Sequence, residues 1–301
     1  MRPPAALPIG PHDVYDPGHA PMPRTLIALL LLFLFAPGAA AQEIVPAPDD
    51  ASTGPDTVFV QELTWTEVAA RVRAGTRSVI VPTGGTEQNG PHMVLGKHNF
   101  IIREASERIA RELGDTLVAP VVAYVPEGGI DPPTGHMRYA GAITLPQEHF
   151  EALLEYTARG FALHGFENVI FIGDSGGNQR GMAAVAERLN LEWQNSGNAS
   201  RVLYVPEYYR GNGFRDWLLE QGIPEESIGR HAGVTDTSQL WYVAPEQIRP
   251  EARVKDGGFE GSGVNGDPTL ASRELGEKGI ELKVETTVRR VREMLAARAR
   301  E

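Results

Sequence analysis

Cysteine is absent from all 301 residues, which removes thiol nucleophiles, disulfides and cysteine metal sites at one stroke. Any fold must therefore stand on its packed core. Positive charge is also scarce: the formal net charge is −11 at pH 7 and no basic cluster offsets it, which argues against nucleic acid as a partner. Long apolar runs are almost missing. The one present, Leu26 to Ala36, is shorter than the roughly 20 residues that a bilayer-spanning helix needs. Arg24 precedes it and Ala39-Ala40-Ala41 follows, the charged, apolar and small-residue order of a secretory signal. Residues 1–41 thus read as a signal region with Met22 as its start, removed after Ala41. Pro- and Asp-containing residues follow, and 42–58 reads as a disordered tether. The domain proper is expected over 59–301, exported to the periplasm or beyond and free of the membrane after cleavage.

What the chain does have is alternation. "SVIVPTGG" (78–85) holds a short β-branched run that suggests a buried strand. "TWTEVAARVRAG" (64–75) before it has Thr64 and Glu67 at capping-box spacing. "FIIREASERIARELG" (100–114) aligns Ile101, Ala105, Ile109 and Leu113 on one helical face. Strand-like "TLVAPVVAYV" (116–125), helical "QEHFEALLEYTARGFALHG" (147–165), strand "NVIFIG" (168–173), helix "NQRGMAAVAERLNLEWQN" (178–195) and strand "RVLYV" (201–205) continue the series. The C-terminal stretch aligns Val284, Val288, Val291 and Leu295. Continuous apolar strands between helices predict an α/β fold, a three-layer α/β/α arrangement around a mostly parallel sheet. In such sheets ligands lie beyond the carboxyl ends of the strands, which selects the segments after 79–82, 168–172, 201–205 and around 231.

One of those segments contains Gly173-Asp174-Ser175-Gly176-Gly177, the letters that surround the nucleophilic serine of trypsin-like proteases. That chemistry needs an all-β double barrel with its histidine and aspartate upstream. Here the string lies between a buried strand and a helix, so the match is one of letters. The neighbours explain it better. "PTGGTEQNGPHMVLGKHN" (82–99), "GHMRYAGAITL" (135–145), "GDSGGN" (173–178) and "HAGVTDTSQL" (231–240) follow one another in the order and spacing of the creatininase family, which the chain resembles over roughly 60–295. The resemblance implies a three-layer α/β fold, metal-dependent hydrolysis of C–N bonds in cyclic or linear amides, and homo-oligomers, often hexamers.

Carried over residue by residue, the family's metal ligands fall on Glu87, Asn89, His98 and Ser175, and only the glutamate is unchanged. The inventory of one Glu, one His and one Asp nevertheless survives, with His98 now in the first loop and Asp174 in the second. The expectation is one divalent ion, zinc or manganese, on Glu87, His98 and Asp174, with open positions for water and substrate. His92 is expected behind the ligands and is the first substitute for the one missing at Asn89. His231 is expected to act as general acid/base beside Asp236, which stands where the family has a glutamate. His136, Ser175, Gly176 and Gly177 are expected to bind substrate, the glycines through close backbone approach. Tyr208, Tyr209 and Trp241 are candidate walls.

Two functions follow. The first is metal-assisted hydrolysis of a small or peptide-like amide. The alternative is a metal-free, non-catalytic binding or assembly protein of the bacterial envelope, in which the same polar groups hydrogen-bond one another.

Overall fold

The computed structural model describes residues 44–253 and 258–298, so the expected signal region lies outside the described residues. Four strands form one parallel sheet: β1 (Ser78–Thr83), β2 (Thr116–Val118), β3 (Asn168–Gly173) and β4 (Arg201–Tyr204), in the order β2-β1-β3-β4. Helices α1 (Trp65–Arg73), α2 (Lys97–Leu113), α3 (Gln147–Leu163) and α4 (Gln179–Ser196) alternate with them. Beyond β4 come α5 (Phe214–Glu220), α6 (Glu225–Ile228), α7 (Val234–Val243), α8 (Pro250–Arg253) and the long closing helix α9 (Arg273–Arg298).

The period-2 alternation of strand side chains sorts the core into two layers. Ile80, Ile170, Ile172 and Leu203 pack with Ile101 and Ile109 of α2, Leu240 of α7, and Val284, Val288 and Val291 of α9. Val79, Val81, Val169, Phe171 and Val202 face the other way, onto Phe150 and Leu154 of α3 and Val185 and Leu189 of α4. Every residue of β1 and β3 is buried, because helices cover both faces. This is the expected three-layer arrangement.

Three local differences have clear causes. The expected strand over 116–125 stops at Val118, since Pro120 has no N–H to give the ladder; a single bridge from Thr83 to Val122 is all that continues it. Helix α2 begins at Lys97, not 100, which draws Lys97 and His98 into its buried first turn. Residues 44–58 also differ from the expected disordered tether. They carry little regular structure, yet the Arg71 guanidinium donates to the carbonyls of Thr53, Pro55 and Thr57 and Arg73 to that of Pro48 at 2.8 Å. The N–H of Val118 then donates to Val58 at 2.7 Å, so the segment is tied to the edge of the sheet.

Register decides where the site forms. Thr83 at the end of β1 pairs with Gly173 at the end of β3, and the Asp174 N–H donates to the Thr83 carbonyl at 3.0 Å. The loops carrying Glu87 and Asp174 thus leave the sheet side by side.

Candidate active site

Those two loops meet the 126–139 and 230–236 segments around a cleft of about 520 Å3. Its floor is built first. The Asn178 amide, fully buried, donates to the carbonyls of Thr83 at 3.2 Å and Gly84 at 2.8 Å. Asn99 accepts from the Gly85 N–H at 3.0 Å, and a Cβ on Gly84 would meet its Oδ1 at 2.1 Å. Asn89 donates to the carbonyls of Glu87, Val94 and Leu95 at 2.9, 3.1 and 3.3 Å. The residue at a family ligand position therefore staples its own loop.

Glu87, His98 and Asp174 do come together. His98 stands between two carboxylates, with Nδ1 2.7 Å from Asp174 Oδ2 and Nε2 2.8 Å from Glu87 Oε1. Both acceptors are anions, so both ring nitrogens donate and His98 is an imidazolium. Burial alone would push its pKa down and Lys97 beside it adds to that, but Glu87 and Asp174 outweigh both and lift it to about 9. An imidazole used on both sides in this way has no lone pair left for a metal.

Two buried lysines complete the arrangement. Lys97 Nζ is 2.9 Å from Asp236 Oδ2 and 3.4 Å from Glu87 Oε1, and these carboxylates raise its pKa against the effect of burial. Lys283, from α9, donates to Asp174 Oδ1, with its ammonium 4.8 Å from the centre of the Tyr208 ring. Burial would raise the pKa values of Glu87, Asp174 and Asp236, yet the cations hold all three below the carboxylate range: chiefly His98 and Lys97 for Glu87, Lys283 for Asp174, and Lys97 for Asp236. Three anions thus face three cations supplied by the chain itself. Glu127 is the exception. Burial first, and then its neighbour Glu87, push its pKa up to about 9, so it is a neutral acid, and its Oε1 is buried without a hydrogen-bond partner among the described residues.

A different set of groups has the arrangement a cation needs. Ligand atoms of Glu87, His136 and His231 all lie within 4.8 Å of one another. His136 Nε2 is 3.2 Å from Glu87 Oε2, and His231 Nδ1 is 3.6 Å from Glu87 Oε1. His231 Nε2 lies 2.8 Å from the carbonyl oxygen of Gln88, an acceptor only, so that nitrogen carries the proton. Burial, with Lys97 nearby, lowers the His231 pKa to about 4, and burial lowers that of His136. Neutral His231 therefore points the lone pair of Nδ1 at a carboxylate oxygen. Two lone-pair-bearing atoms so close can share a cation, and a backbone carbonyl on the far nitrogen is the usual way a protein orients a histidine ligand.

The other predicted residues fall as follows. Asp236 lines the cleft, but its Oδ2 is held by Lys97 and by the Ala232 N–H at 2.7 Å. That bond fixes Ala232 at φ 55°, a left-handed conformation uncommon outside glycine, and so sets the turn that aims His231. His92 is buried against Thr237 at 2.9 Å, where it braces the first loop on α7 and stands apart from the Glu87, His136 and His231 ligand atoms. Ser175, Gly176 and Gly177 line the cleft, and among the described residues no histidine is bonded to the Ser175 hydroxyl. A Cβ on Gly177 would stand 2.6 Å from the Pro126 carbonyl oxygen. Tyr209 lines the cleft, whereas Tyr208 is core and Trp241 packs under Arg253, whose guanidinium is 4.3 Å from the ring centre.

Sequence reasoning missed Lys97, Lys283 and Glu127. Lys283 left a trace, because it falls on the stripe of α9 that also holds Ile280, Val284 and Val288; Lys97 and Glu127 left none that periodicity could detect.

The sequence profile of the family described as Creatininase, creatinine amidohydrolase, matches residues 61–291. A mycofactocin precursor peptide peptidase of Mycolicibacterium smegmatis is 26% identical over 235 residues, 71% of this chain and 83% of that protein. The creatinine amidohydrolase of Pseudomonas putida is 26% identical over 259 residues, 79% and 97% of the two chains. Among solved structures, a creatininase described with Mn superimposes with TM-score 0.66 at 22% identity, over 79% of this chain and 98% of its own. A mutant creatininase of Zn-Zn type gives TM-score 0.66 at 22% identity, over 80% and 99%. These structural likenesses establish the shared fold. Since the profile spans most of the chain, the protein belongs to the creatininase family and is an enzyme of the amidohydrolase kind.

Proposed function

We propose that this enzyme hydrolyses a C–N amide bond in a small or peptide-like substrate, with one divalent ion, zinc or manganese, on Glu87, His136 and His231. The observation that carries the reading is the convergence of His136 Nε2 and His231 Nδ1 on the Glu87 carboxylate, 3.2 Å from Oε2 and 3.6 Å from Oε1. Tetrahedral ligands about 2.0–2.1 Å from zinc lie at such separations from one another. The reading keeps Glu87 from the expected ligand set and replaces His98, whose two ring N–H groups donate to Asp174 and Glu87, and Asp174, whose oxygens accept from His98 and Lys283.

Bound there, a divalent ion supplies Lewis acidity toward a carbonyl oxygen and acidifies a water. The chain's own residues do the rest. Lys97 and His98 hold Glu87 through Oε1 and leave Oε2, 3.2 Å from His136 Nε2, to the cleft. Gly176 and Gly177 let the substrate approach the backbone closely. Proton delivery to the leaving nitrogen falls to Glu127, since the N–H of His231 is committed to Gln88. Asp236 acts as a positioning residue through the Ala232 turn. The signal pattern supports export, and the family resemblance supports a homo-oligomer.

Elemental mass spectrometry after dialysis tests this. One zinc or manganese per chain is expected, lost in Glu87→Gln and His231→Ala but kept in Ser175→Ala. A chain that stays metal-free when both ions are offered would overturn the reading, as would full metal content in Glu87→Gln.

A further inference from the structure

A second hollow of about 400 Å3 opens beside the active cleft and shares Tyr209, Arg230, His231 and Asp236 with it. Three arginines line it: Arg210, Arg215 and Arg230. Arg215 is already engaged, 2.7 Å from Glu225 and donating to the Gly229 carbonyl at 3.3 Å. The other two have no carboxylate within ion-pair distance among the described residues. The Arg210 guanidinium lies over the Tyr209 ring, 5.4 Å from its centre. The one carboxylate that lines the hollow among the described residues, Asp236, is neutralised by Lys97. A surplus of positive charge therefore sits next to the reacting groups in a chain of net charge −11.

The base of Arg230 is fixed, not loose. Its N–H donates to Asn265 O at 3.0 Å and to Asn265 Oδ1 at 2.9 Å, and the next residue, His231, forms a bridge with the same Asn265. The backbone of Arg230 is thus fixed one residue from a candidate ligand, and its side chain lines both the hollow and the cleft. Guanidinium forks pair with planar carboxylates through two parallel N–H donors. In an acidic protein an anionic substrate is otherwise repelled, and a local basic wall reverses the field where it matters.

We infer that the Arg230 and Arg210 wall is a subsite for a carboxylate, so that the substrate is an amide bearing a free carboxylate near the bond to be cut, as at a peptide C-terminus. This deepens the hydrolase reading and rests on it.

The test is titration calorimetry on EDTA-dialysed protein, where no metal can ligate the probe, with N-acetylglycylglycine against its C-terminal amide. The free acid is expected to bind about tenfold more tightly than the amide, as a charge-assisted pair implies. Arg230→Gln should erase the preference, while Arg289→Gln, at an exposed position of α9 outside both hollows, should keep it. Equal binding of acid and amide, binding of neither, or an unchanged preference in Arg230→Gln would overturn the subsite, as would inorganic phosphate displacing the acid at equal concentration. Metal content separates the two readings. Carboxylate preference in a chain that takes no metal would sink the hydrolase and spare the subsite, whereas a metal-loaded chain indifferent to the carboxylate would sink the subsite alone.

Discussion

Lys283, on the buried side of the closing helix, donates to Asp174 at the end of β3, and the other oxygen of that carboxylate accepts from His98 Nδ1 at 2.7 Å. Helix α9 is thereby tied to the first turn of α2 through one aspartate. Buried charges are tolerated only when paired, and here each has a partner: Lys283 with Asp174, His98 with Asp174 and Glu87, Lys97 with Glu87 and Asp236. Removing Lys283 as Lys283→Met leaves Asp174 undercompensated and should cost about 3–5 kcal/mol. Urea unfolding would show this, and the double variant Lys283→Met, Asp174→Asn should recover part of the loss. Wild-type stability in the single variant would refute the pairing.

Stability of the metal-free protein should peak near pH 6.5. His98 keeps its proton to about 9 when folded against an ordinary 6.5, and Glu127 to about 9 against an ordinary 4.5. Both bind more protons folded than unfolded, so stability falls as pH rises toward 9. On the acid side, His231 and His92 titrate at about 4 when folded. The unfolded chain binds their protons first, and stability falls as pH drops below 6.5. Thermal melts across this range check the shape, and Glu127→Gln should flatten the alkaline limb. A peak displaced to pH 9 would contradict these protonation states.

The tautomer of His231 can be read directly. In metal-free protein its Nε2 should carry the proton, donated to Gln88, and the ring should stay neutral down to about pH 4. Nitrogen-15 NMR distinguishes the two ring nitrogens. Added zinc should move the Nδ1 resonance and leave Nε2 protonated; a proton found on Nδ1 would remove the basis for the metal reading.

Gly177→Ala tests the cleft wall. Its Cβ would stand 2.6 Å from the Pro126 carbonyl oxygen, which must shift, and overpacking of this kind costs about 1–3 kcal/mol. Activity on an amide substrate should drop further than stability does, because Pro126 and Gly177 both line the cleft. Unchanged activity would show that the wall is not in contact with substrate.

Much of the architecture was legible in the residues. The β-branched run at 79–81 and the apolar 168–173 stretch had to be buried strands, because each is too short for a helix and bounded by glycine or polar residues. Thr64 and Glu67 form the capping box that their spacing announced. The carboxyl ends of the strands pointed to the loops that line the cleft, and Glu87, His136, Asp174, His231 and Asp236 all reached it. Their pairing was not legible. Which side chain faces which depends on the Thr83–Gly173 register, the start of α2 at Lys97, and the position of α9 over β3, and none of these leaves a periodic trace. Local sequence specified strands, helices and the kinds of polar group at their ends, since those follow from propensity and spacing. Only the tertiary structure decided that lysines from two distant helices neutralise two of the carboxylates, that His98 is held between Glu87 and Asp174, and that His136 and His231 turn toward Glu87, because Coulomb interactions in a buried site are set by distances that the chain acquires only on folding.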